Sequence, residues 1–430
     1  MLSLMSILLC FMLLGIPVAF AILGSSFIAI YMNGGLPWSL VIQRMFYGLT
    51  SFPLVAVPLF ILAGELLEKA GILRRLLDFA NLLIGGKRGG LAYGNVVASI
   101  FFAGITGAAT ADAAGLGKIE IAIMKQDGYR TGFSGAVTAA SAIIGPIIPP
   151  SIPMIIYSFA AGNVSLGALF FAGILPGVMI GLLEMGVICI IAHRNNFPKK
   201  DVRLTVQEFS IGLKRAALPL IMPLIILGGI YGGIFTPTEA ASVAVVYAFI
   251  IGVFVLRTLK VKDLPEILTR TAYITSVVMW IVAGCTLFSW LLTVTGLAQV
   301  IQAIFKPFME NPLQFLALLN IVLLFVGTFI DAVPAILIFA PILAPMAAQA
   351  GIDPLHFGVV MVINLCVGLV TPPIGVVLFA TCAVAEDLTL AKLSKEMLPF
   401  LAVLLIALAI ITYIPAVSTF LPGIAGLTGQ

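Results

Sequence analysis

The apolar run from residue 166 to residue 192 contains a single charged side chain, Glu184. It is longer than the roughly 20 apolar residues that a helix needs to cross a lipid bilayer. Similar runs recur along the 430 residues, and only 9% of the chain is charged, against about 25% in a soluble domain. So few charges could not cover the surface of a soluble fold. We therefore expect an all-α polytopic membrane protein.

The apolar runs are of two kinds, continuous and interrupted. The runs 91–117 and 313–350 are interrupted near the middle by small residues, prolines or an aspartate, and each is predicted to be a re-entrant hairpin. The charged connections 68–90 and 296–312 are predicted to be interfacial arm helices. The first continuous run contains Gly15-Ile-Pro17, which leaves open that it forms two short helices. The runs predicted to cross the membrane in full are 3–31, 46–67, 132–160, 166–192, 217–235, 238–256, 272–295, 355–385 and 397–421.

The positive charges lie on one side of this predicted topology. The loops after residues 67, 117, 192, 256 and 385 lie on the same face in this topology. They contain all of the 22 Lys and Arg residues except Arg44 and Lys306. Cytoplasmic loops are enriched in Lys and Arg, so this face is predicted to be cytoplasmic. The net charge of +4 is thus a topology signal, and no nucleic-acid partner is expected. The first hairpin would enter from the cytoplasm and the second from the opposite side.

An internal repeat appears at an offset of 223 residues. The charge-derived topology gives the two copies opposite orientations, which predicts an inverted repeat of the kind found in many secondary transporters. The alternative is that unrelated helices share similar Gly and Pro punctuation by chance. The matched residues are Gly104 with Gly327, Gly135 with Gly358, Gly145 with Gly368, Pro149-Pro150 with Pro372-Pro373, and Pro176 with Pro399.

Two Pro-Pro pairs lie in the middle of long apolar runs, within the segments 145–151 and 368–375. Consecutive prolines remove two backbone donors and clash with the preceding turn, so each helix should break at membrane depth. Exposed carbonyls are tolerated there only if protein, water or an ion satisfies them. Discontinuous helices therefore indicate substrate and cation sites, although a simple proline kink is the alternative for either segment.

The interrupted runs supply two hairpin tips, 104–112 and 327–331, that could face these breaks. Their small residues allow close backbone approach, and the hydroxyls of Thr106, Thr110 and Thr328 are hard oxygen donors of the kind that cations such as sodium prefer. Helix N-termini at the breaks would favour an anionic substrate. The competing interpretation of such Gly/Ala/Thr strings is a surface for close helix packing.

The acidic residues differ in their predicted depth. Asp331 lies deepest, at the second tip, and an ionisable group there is a functional candidate. Asp112, Glu65, Glu184 and Glu239 lie closer to segment ends, where hydrated interfacial roles are expected. His193 and His356 have no companion at metal-ligand spacing.

Enzyme signatures are scarce. There is no P-loop, HExxH or GxSxG motif, so an ATP-driven pump or a hydrolase is not indicated. An intramembrane enzyme that uses Asp112 or Asp331 would need a second acid or a metal cluster beside it, and neither residue has one. A passive channel is a further alternative to a carrier.

Five segments of the sequence together resemble one known family. The match extends over nearly the whole chain, and the ordered set is specific although each segment alone is weak. The segments are SFPLVAVPLFILAGELL at 51–67, GITGAATADAAGLGKIEIAIMKQDGY at 104–129, GPIIPPSIPMIIY at 145–157, GGIFTPTEAA at 232–241 and GLVTPPIGVVLF at 368–379.

The family is that of the large membrane subunit, DctM type, of tripartite ATP-independent periplasmic (TRAP) transporters, with the sialic acid SiaM branch as one candidate. The resemblance implies an elevator-type protein of the bacterial inner membrane with a scaffold and a transport domain. It also implies sodium coupling, an organic-anion substrate such as sialic acid or a C4-dicarboxylate, a separate small four-helix membrane subunit, and a periplasmic substrate-binding protein. A stand-alone sodium/anion transporter is the alternative. The implied division is scaffold helices and a first arm at 1–90, the first transport half at 91–165, scaffold and a second arm at 166–312, the second transport half at 313–390, and a C-terminal scaffold helix at 391–430.

The resemblance also carries site residues onto this sequence. The first tip often reads Ser-Gly-Ser in the family, whereas here it is Thr106-Gly107-Ala108, so position 108 offers its carbonyl and no side-chain oxygen. The implied first sodium site comprises Gly104, Thr106, Gly107, Ala108, Gly145, Ile148 and Pro150. The implied second sodium site comprises Gly327, Thr328, Asp331, Gly368, Thr371 and Pro373. The implied substrate-binding residues are Thr106, Ser151, Asp331 and Pro372.

Overall fold

A computed structural model describes residues 2–32, 37–84, 86–162, 164–197, 205–385 and 387–427, without the side chains of 2, 3, 13, 73, 104–106 and 298. Helices make up 82% of the described residues, and these residues form no strand. Seven of the described helices are long and apolar enough to cross a membrane, or eight if one bent pair counts as a span. The expectation of an all-α polytopic membrane protein is confirmed.

The first two predicted crossings are each divided into two helices. The run 3–31 breaks after Leu13, where Gly15 adopts φ of 75° and Pro17 follows; a proline disfavours helical backbone at the residue before it. The run 46–67 bends by 61° at a short turn around Pro53. The two short helices left open for the run 3–31 are thus observed, whereas the prediction of one continuous helix at 46–67 was wrong. The helices are α1 (Leu2–Leu13), α2 (Val18–Met32), α3 (Trp38–Leu49) and α4 (Ala56–Lys69).

A helix in the predicted arm segment, a hairpin and a broken helix follow. The hairpin turns at Gly107-Ala108 and continues to Gln126, so the predicted end at 117 was wrong. Lys118, Glu120 and Lys125 favour helix, and nothing interrupts the helix before Asp127-Gly128. The predicted break between 145 and 151 is confirmed. The helices are α5 (Ile72–Ile84), α6 (Gly90–Thr106), α7 (Ala109–Gln126), α8 (Thr131–Ala142) and α9 (Ile152–Ala161).

The middle of the chain forms long helices with defined starts. Thr205 and Thr236 each begin a helix with a capping box, in which the Thr hydroxyl and a Glu carboxylate three residues later satisfy each other's backbone N–H groups. Because of these caps and Pro265, the helices that contain the predicted crossings 217–235 and 272–295 begin earlier than expected. The helices are α10 (Leu166–Arg194), α11 (Val206–Tyr231), α12 (Pro237–Ile250), α13 (Leu264–Val294) and α14 (Leu297–Phe305).

The last third repeats the pattern of hairpin and broken helix. The hairpin turns at Ile330-Asp331, and the second broken helix is interrupted between Gly368 and Val376, both as predicted. The predicted crossing 397–421 was wrong as one helix, because it ends at Tyr413 before Pro415. The helices are α15 (Pro312–Phe329), α16 (Ala332–Gln349), α17 (Pro354–Gly368), α18 (Val376–Val384), α19 (Leu390–Tyr413) and α20 (Ala416–Ile424).

The helix bounds follow the offset of 223 residues seen in the sequence. Shifted by that offset, α7 coincides with α16 at both ends, and α9 differs from α18 by one residue at its start. Both Pro-Pro pairs contain a cis peptide bond. The two halves thus share one order of hairpin, broken helix and long helix. Their opposite orientation across the membrane stays a prediction.

The helices pack into two groups. The hairpin group contains α6 to α9 and α15 to α18, and within it α9 packs on α16 while α7 packs on α18. The outer group contains α2 to α4 and α11 to α13. The two groups meet mainly where α13 contacts α16 and where α4 contacts α6. The long helices α10 and α19 pack chiefly on the hairpin group, through α6, α8 and α17. The division into scaffold and transport domain stays a prediction.

Candidate functional site

The first hairpin tip lies against the first helix break. Gly107 has φ of 62°, and a Cβ at this position would lie 2.8 Å from the carbonyl oxygen of Pro150 and 3.1 Å from the backbone nitrogen of Ile152. Only glycine permits this approach together with this backbone conformation. Ala108 is half-buried beside it. Gly104 and Thr106, two further predicted site residues, belong to the end of α6, and the Thr106 side chain lies outside the described part of the chain.

Asp112 contacts the break from the first turn of α7. A Cβ on Gly145 would collide with the Asp112 carboxylate, so Gly145 is the residue that makes room for this acid. Asp112 is only 3% exposed. The expectation of a hydrated interfacial role for Asp112 was therefore wrong. The carboxylate instead lies inside the protein, next to the backbone that the proline pair opens.

The side chains of Ile148 and Ser151 are engaged by groups other than the tip. The side chain of Ile148 packs on Gly177 of α10, which leaves its backbone as the part available for ligation. Ser151 is fully buried and caps α9: its hydroxyl accepts from the Met154 N–H at 3.2 Å and donates to the Pro146 carbonyl. Both polar functions of this predicted substrate residue are thus engaged within the break.

The second tip approaches the second break even more closely. A Cβ on Gly368 would lie 2.6 Å from the Cα of Gly327, so the two backbones touch. The Gly375 N–H donates to the Thr328 carbonyl at 3.2 Å. The structure therefore brings together the tip and break residues that were predicted for the second sodium site.

The oxygen atoms at the second contact are of three chemical types. The hydroxyls of Thr328 and Thr371 donate to the carbonyls of Leu324 and Val367 at 3.0 and 2.8 Å, which leaves their lone pairs free to accept. Asp331 caps α16, and its Oδ1 accepts from the Val333 N–H at 3.3 Å. Hydroxyl, carboxylate and carbonyl oxygens form a donor set that suits a hard cation.

The two breaks differ in accessibility. Every residue from 141 to 157 is buried, whereas Thr371 and Pro372 are half-buried and Pro373 is exposed. Asp331 is also half-buried. The second break thus has accessible residues, whereas the first break has none and is approached only through the half-buried Ala108 of its tip. Sequence reasoning treated the two halves alike and missed this difference.

Two buried polar networks hold the hairpins on the broken helices. In the first half, Asn95 of α6 donates to Thr138 at 2.8 Å and accepts from Ser141 at 2.7 Å, both on α8. In the second half, Asn364 of α17 donates to the Asn320 side-chain oxygen of α15 at 2.8 Å. Ser141 and Asn364 are equivalent at the repeat offset. Sequence reasoning missed both networks, although isolated amides in apolar helices are a usable signal.

The other acidic residues have distinct surroundings. Glu184 is fully buried, and neither carboxylate oxygen has a hydrogen-bond partner among the described residues; its predicted hydrated role was wrong. Glu239 is exposed in its capping box, as expected for an interfacial residue. Glu65 lies 3.2 Å from the Arg270 guanidinium. His356 is buried and contacts Ser418 at 2.7 Å. The described residues contain no group of three or more His, Cys, Asp or Glu side chains that could hold a metal.

Ion pairs join the two halves at the face predicted to be cytoplasmic. Lys125 at the end of α7 pairs with Asp387 in the loop before α19, and Arg130 before α8 pairs with Glu396 of α19 at 3.2 Å. The hydrogen bond from Lys125 lowers the pKa of Asp387 below its usual value. These pairs connect elements that lie far apart in the sequence.

Two cavities lie between the helix groups. A cavity of about 240 Å³ lies beside the first tip and is lined by Ala108, Ile152, Glu65 and Arg270. A cavity of about 540 Å³ lies between α3 and α13 on one side and α9 and α16 on the other. Both volumes are near or within the range of small-molecule sites. The groups are thus separated by space at two places, one of which is beside the first tip.

A multi-span helical protein whose hairpin tips pack on broken helices belongs to the membrane transporters by fold. A solved structure agrees: the Alcanivorax borkumensis YdaH transporter is similar to this chain with a TM-score of 0.61 and 16% identity, over 87% of this chain and 88% of that one. This likeness concerns the fold.

Sequence comparison identifies the family. The family model for the DctM component of the tripartite ATP-independent periplasmic transporter matches residues 5–417. The chain is 40% identical to the sialic acid TRAP transporter large permease protein SiaM of Vibrio cholerae, over 95% of both chains. It is also 40% identical to the C4-dicarboxylate permease protein DctM of Pseudomonas aeruginosa, over 90% of both. The chain belongs to the DctM family of TRAP transporter large permease subunits. It is a multi-pass protein of the bacterial inner membrane and not an enzyme.

One relative joins this unit to a further segment. The isethionate TRAP transporter permease protein DctMQ of Oleidesulfovibrio alaskensis is 37% identical over 96% of this chain, which covers 65% of that protein. About a third of the relative thus lies outside the region that the two share.

Proposed function

We propose that this chain carries a small organic anion inward together with sodium ions. The single observation that supports this most is the paired close approach of tip to break, at Gly107 with Pro150 and at Gly327 with Gly368. It gathers backbone, hydroxyl and carboxylate oxygens inside a transporter fold. Sodium is a cargo ion in this proposal, and its downhill entry drives the uptake of the anion.

The two sodium sites follow the two contacts. In the first, the backbone carbonyls around Ala108, Gly145 and Pro150 are the ligands, together with Thr106. In the second, Thr328, Thr371 and the Asp331 carboxylate take part. Asp331 also caps α16, so an ion bound there would steady the start of this helix.

The substrate class follows from the relatives. Their names specify sialic acid, C4-dicarboxylates and isethionate, which share an acidic group that is ionised at neutral pH. We propose a carboxylate or sulfonate of similar size for this chain. The helix N-termini at the breaks would favour such a charge.

The proposed mechanism is alternating access of the elevator type. Sodium binding would order each tip on its break, and the hairpin group would then slide along the outer group. An ion shifts a conformational equilibrium only as far as it prefers one state. The proposal therefore requires the tip–break contacts to bind sodium more tightly in the state that moves with substrate.

Two partners complete the proposal. The family is tripartite by definition, and the fused relative is longer than this chain. We propose a separate small membrane subunit and a periplasmic protein that delivers the substrate. The rival is a sodium-coupled anion transporter that needs no delivery protein.

Uptake into proteoliposomes tests the proposal. The chain and its small subunit are reconstituted and given sialic acid, succinate or isethionate, each with and without the binding protein and an inward sodium gradient. We expect uptake of one of them only when all components and the gradient are present. Uptake without the binding protein would favour the stand-alone transporter, and uptake indifferent to sodium would contradict the proposed coupling.

A further inference from the structure

The larger cavity, of about 540 Å³, is built from both helix groups. Its outer wall comes from α3 and α13, and its inner wall from the end of α9 and from Leu337 and Pro341 of α16. In the predicted topology these segments lie toward the periplasmic side. A volume between about 300 and 1,000 Å³ is typical of sites for small ligands. The cavity is therefore large enough for an organic acid.

One cation, Arg44 of α3, lines this cavity. Its guanidinium carbon lies 5.2 Å from the ring centroid of Trp290 on α13, which is within the range of a cation–π interaction. The side chain is half-buried. No Asp or Glu is among the described residues that line the cavity, and no described acid forms a salt bridge with Arg44. The charge is thus held in place without a counter-ion from the described part of the chain.

No described residue forms a hydrogen bond with the Arg44 guanidinium, so its N–H groups are available to a ligand. A guanidinium that lies over an aromatic ring presents its N–H groups in the plane, in a fork that matches the two oxygens of a carboxylate. Hydroxyl groups lie nearby on the same wall. Ser289 belongs to α13, and Thr286 donates to the Val282 carbonyl at 2.7 Å, which leaves its oxygen free to accept.

The cavity lies close to the second tip. Leu337 is five residues beyond Ala332, the first residue of α16, which corresponds to about 7–8 Å along a helix. Asp331 of this tip and Pro372 of the second break are half-buried, unlike the first break. The inner wall of the cavity therefore begins within about two helical turns of the accessible tip–break contact.

We propose that Arg44 binds the acidic group of the transported anion in this cavity, with Trp290 fixing the guanidinium and Ser289 as an additional donor. The inference rests on the proposed function for the identity of the ligand, a small carboxylate or sulfonate. Arg44 belongs to the outer group, whereas Leu337 and Pro341 belong to the hairpin group. The bound anion thus bridges the two groups before they move.

Direct binding to the purified chain tests this assignment. The chain is placed in nanodiscs of phosphatidylcholine in sodium buffer, and its melting temperature is followed with N-acetylneuraminate, succinate and isethionate. We expect one of these acids to stabilise the wild type, and Arg44→Gln to weaken its apparent Kd about tenfold or more, since hydrogen bonds to charged groups are the strong ones. Arg44→Lys should fall between the two, because it keeps the charge and loses the fork.

Two further variants separate binding from folding. Lys306→Gln removes the other cation predicted on this face, which is exposed, and should bind as the wild type does. Trp290→Leu keeps the Arg44 charge but removes the stacking, and should weaken binding by less than Arg44→Gln. Each variant is first melted without ligand. A purely structural role for Arg44 would lower this melting temperature and leave the Kd of the folded fraction unchanged.

Three outcomes would overturn the inference. They are wild-type affinity in Arg44→Gln, no binding of any of the three acids to the wild type, and stabilisation through Arg44 by phosphatidylglycerol nanodiscs alone, which would assign the site to a lipid phosphate. The assay uses no sodium gradient and no delivery protein. If the transporter showed no sodium-driven uptake, the proposed function would be contradicted, but the binding of the anion at Arg44 would still be decided by this assay alone.

Discussion

Three glycines determine how closely each hairpin tip can approach its helix break. Gly107 meets the carbonyl of Pro150, and Gly327 meets Gly368 backbone to backbone. At these positions a methyl group would occupy the space that the opposing backbone fills. Backbone oxygens can serve a cation only if tip and break lie this close. The role of these glycines is therefore to allow the short distance between the backbones of tip and break.

Gly368→Ala should separate the second tip from its break. Its Cβ would lie 2.6 Å from Gly327 Cα, and overpacking of this kind costs about 1–3 kcal/mol. We expect a lower melting temperature and a higher sodium concentration for half-maximal uptake. The matched control is Gly186→Ala in α10, where nothing lies within 4 Å; it should be neutral or stabilising. Equal effects of the two substitutions would show that the close contact has no special role.

Asp331→Asn should remove one negative ligand while preserving the cap of α16, because Asn and Asp cap helices equally well. We expect the sodium concentration for half-maximal uptake to rise about tenfold or more, since ligand charge tunes cation affinity. Asp353 caps α17 in the same way, through the N–H groups of Leu355 and His356. Asp353→Asn should therefore leave the sodium dependence unchanged. The same sodium dependence in the two variants would remove Asp331 from the site.

The sequence was sufficient for some residue roles and not for others. Glycines and prolines at matched repeat positions predicted the tips and breaks, because their backbone effects are local. The burial of Asp112 and Glu184 could not be read from the sequence, since it depends on which helices cover them. Ser151 was predicted to face the substrate, but a local hydrogen bond to Pro146 engages its hydroxyl.

At the scale of elements, proline had the strongest influence on where the helices end, bend or break. The Pro-Pro pairs were correctly placed at helix breaks, yet Pro53 and Pro415 also bent or ended helices that were predicted to be continuous. Pro17 follows the break in the first run, for which two short helices had been left open. A single proline permits either a kink or a break, and packing decides between them. Pro176 lies inside the continuous helix α10, which shows the other outcome.

The amide of Asn95 joins the first hairpin to the first broken helix. Asn95→Ala would leave the hydroxyls of Thr138 and Ser141 without this partner in a buried setting, at a cost of about 1–3 kcal/mol. We expect a clear drop in melting temperature. Asn195→Ala is the control, because Asn195 is exposed at the end of α10 and surface changes stay within about 0.5 kcal/mol. Similar melting temperatures for both variants would contradict a role for the network.

At the scale of the whole molecule, the repeat organises the fold. The offset of 223 residues was visible in the sequence and is reproduced by the bounds of α7 and α16. Which helices would pack together was not visible, because Gly and Pro punctuation fixes helix ends and not neighbours. The cavity at Arg44 was missed for the same reason, since its walls come from four helices that are distant in the chain.

A cross-link between the two helix groups should stop transport if they slide. Cysteines at Ala160 and Thr286 lie on opposite walls of the larger cavity, in a background that lacks the five native cysteines. We expect a disulfide-containing linker to abolish uptake, and reduction to restore it. The control pair replaces Phe20 and Trp280, whose rings lie 6.4 Å apart within the outer group, and linking it should leave uptake intact. If uptake were unchanged after the cross-link across the cavity, the two helix groups would not move relative to each other during transport.

The most direct test of sodium coupling counts the ions that enter with each anion. Reconstituted transporter is supplied with radiolabelled sodium and a labelled substrate, and both initial fluxes are measured in the same proteoliposomes. Two tip–break sites predict at least two sodium ions per anion in the wild type, and a smaller number in Asp331→Asn. Substrate uptake with no accompanying sodium flux would contradict the account.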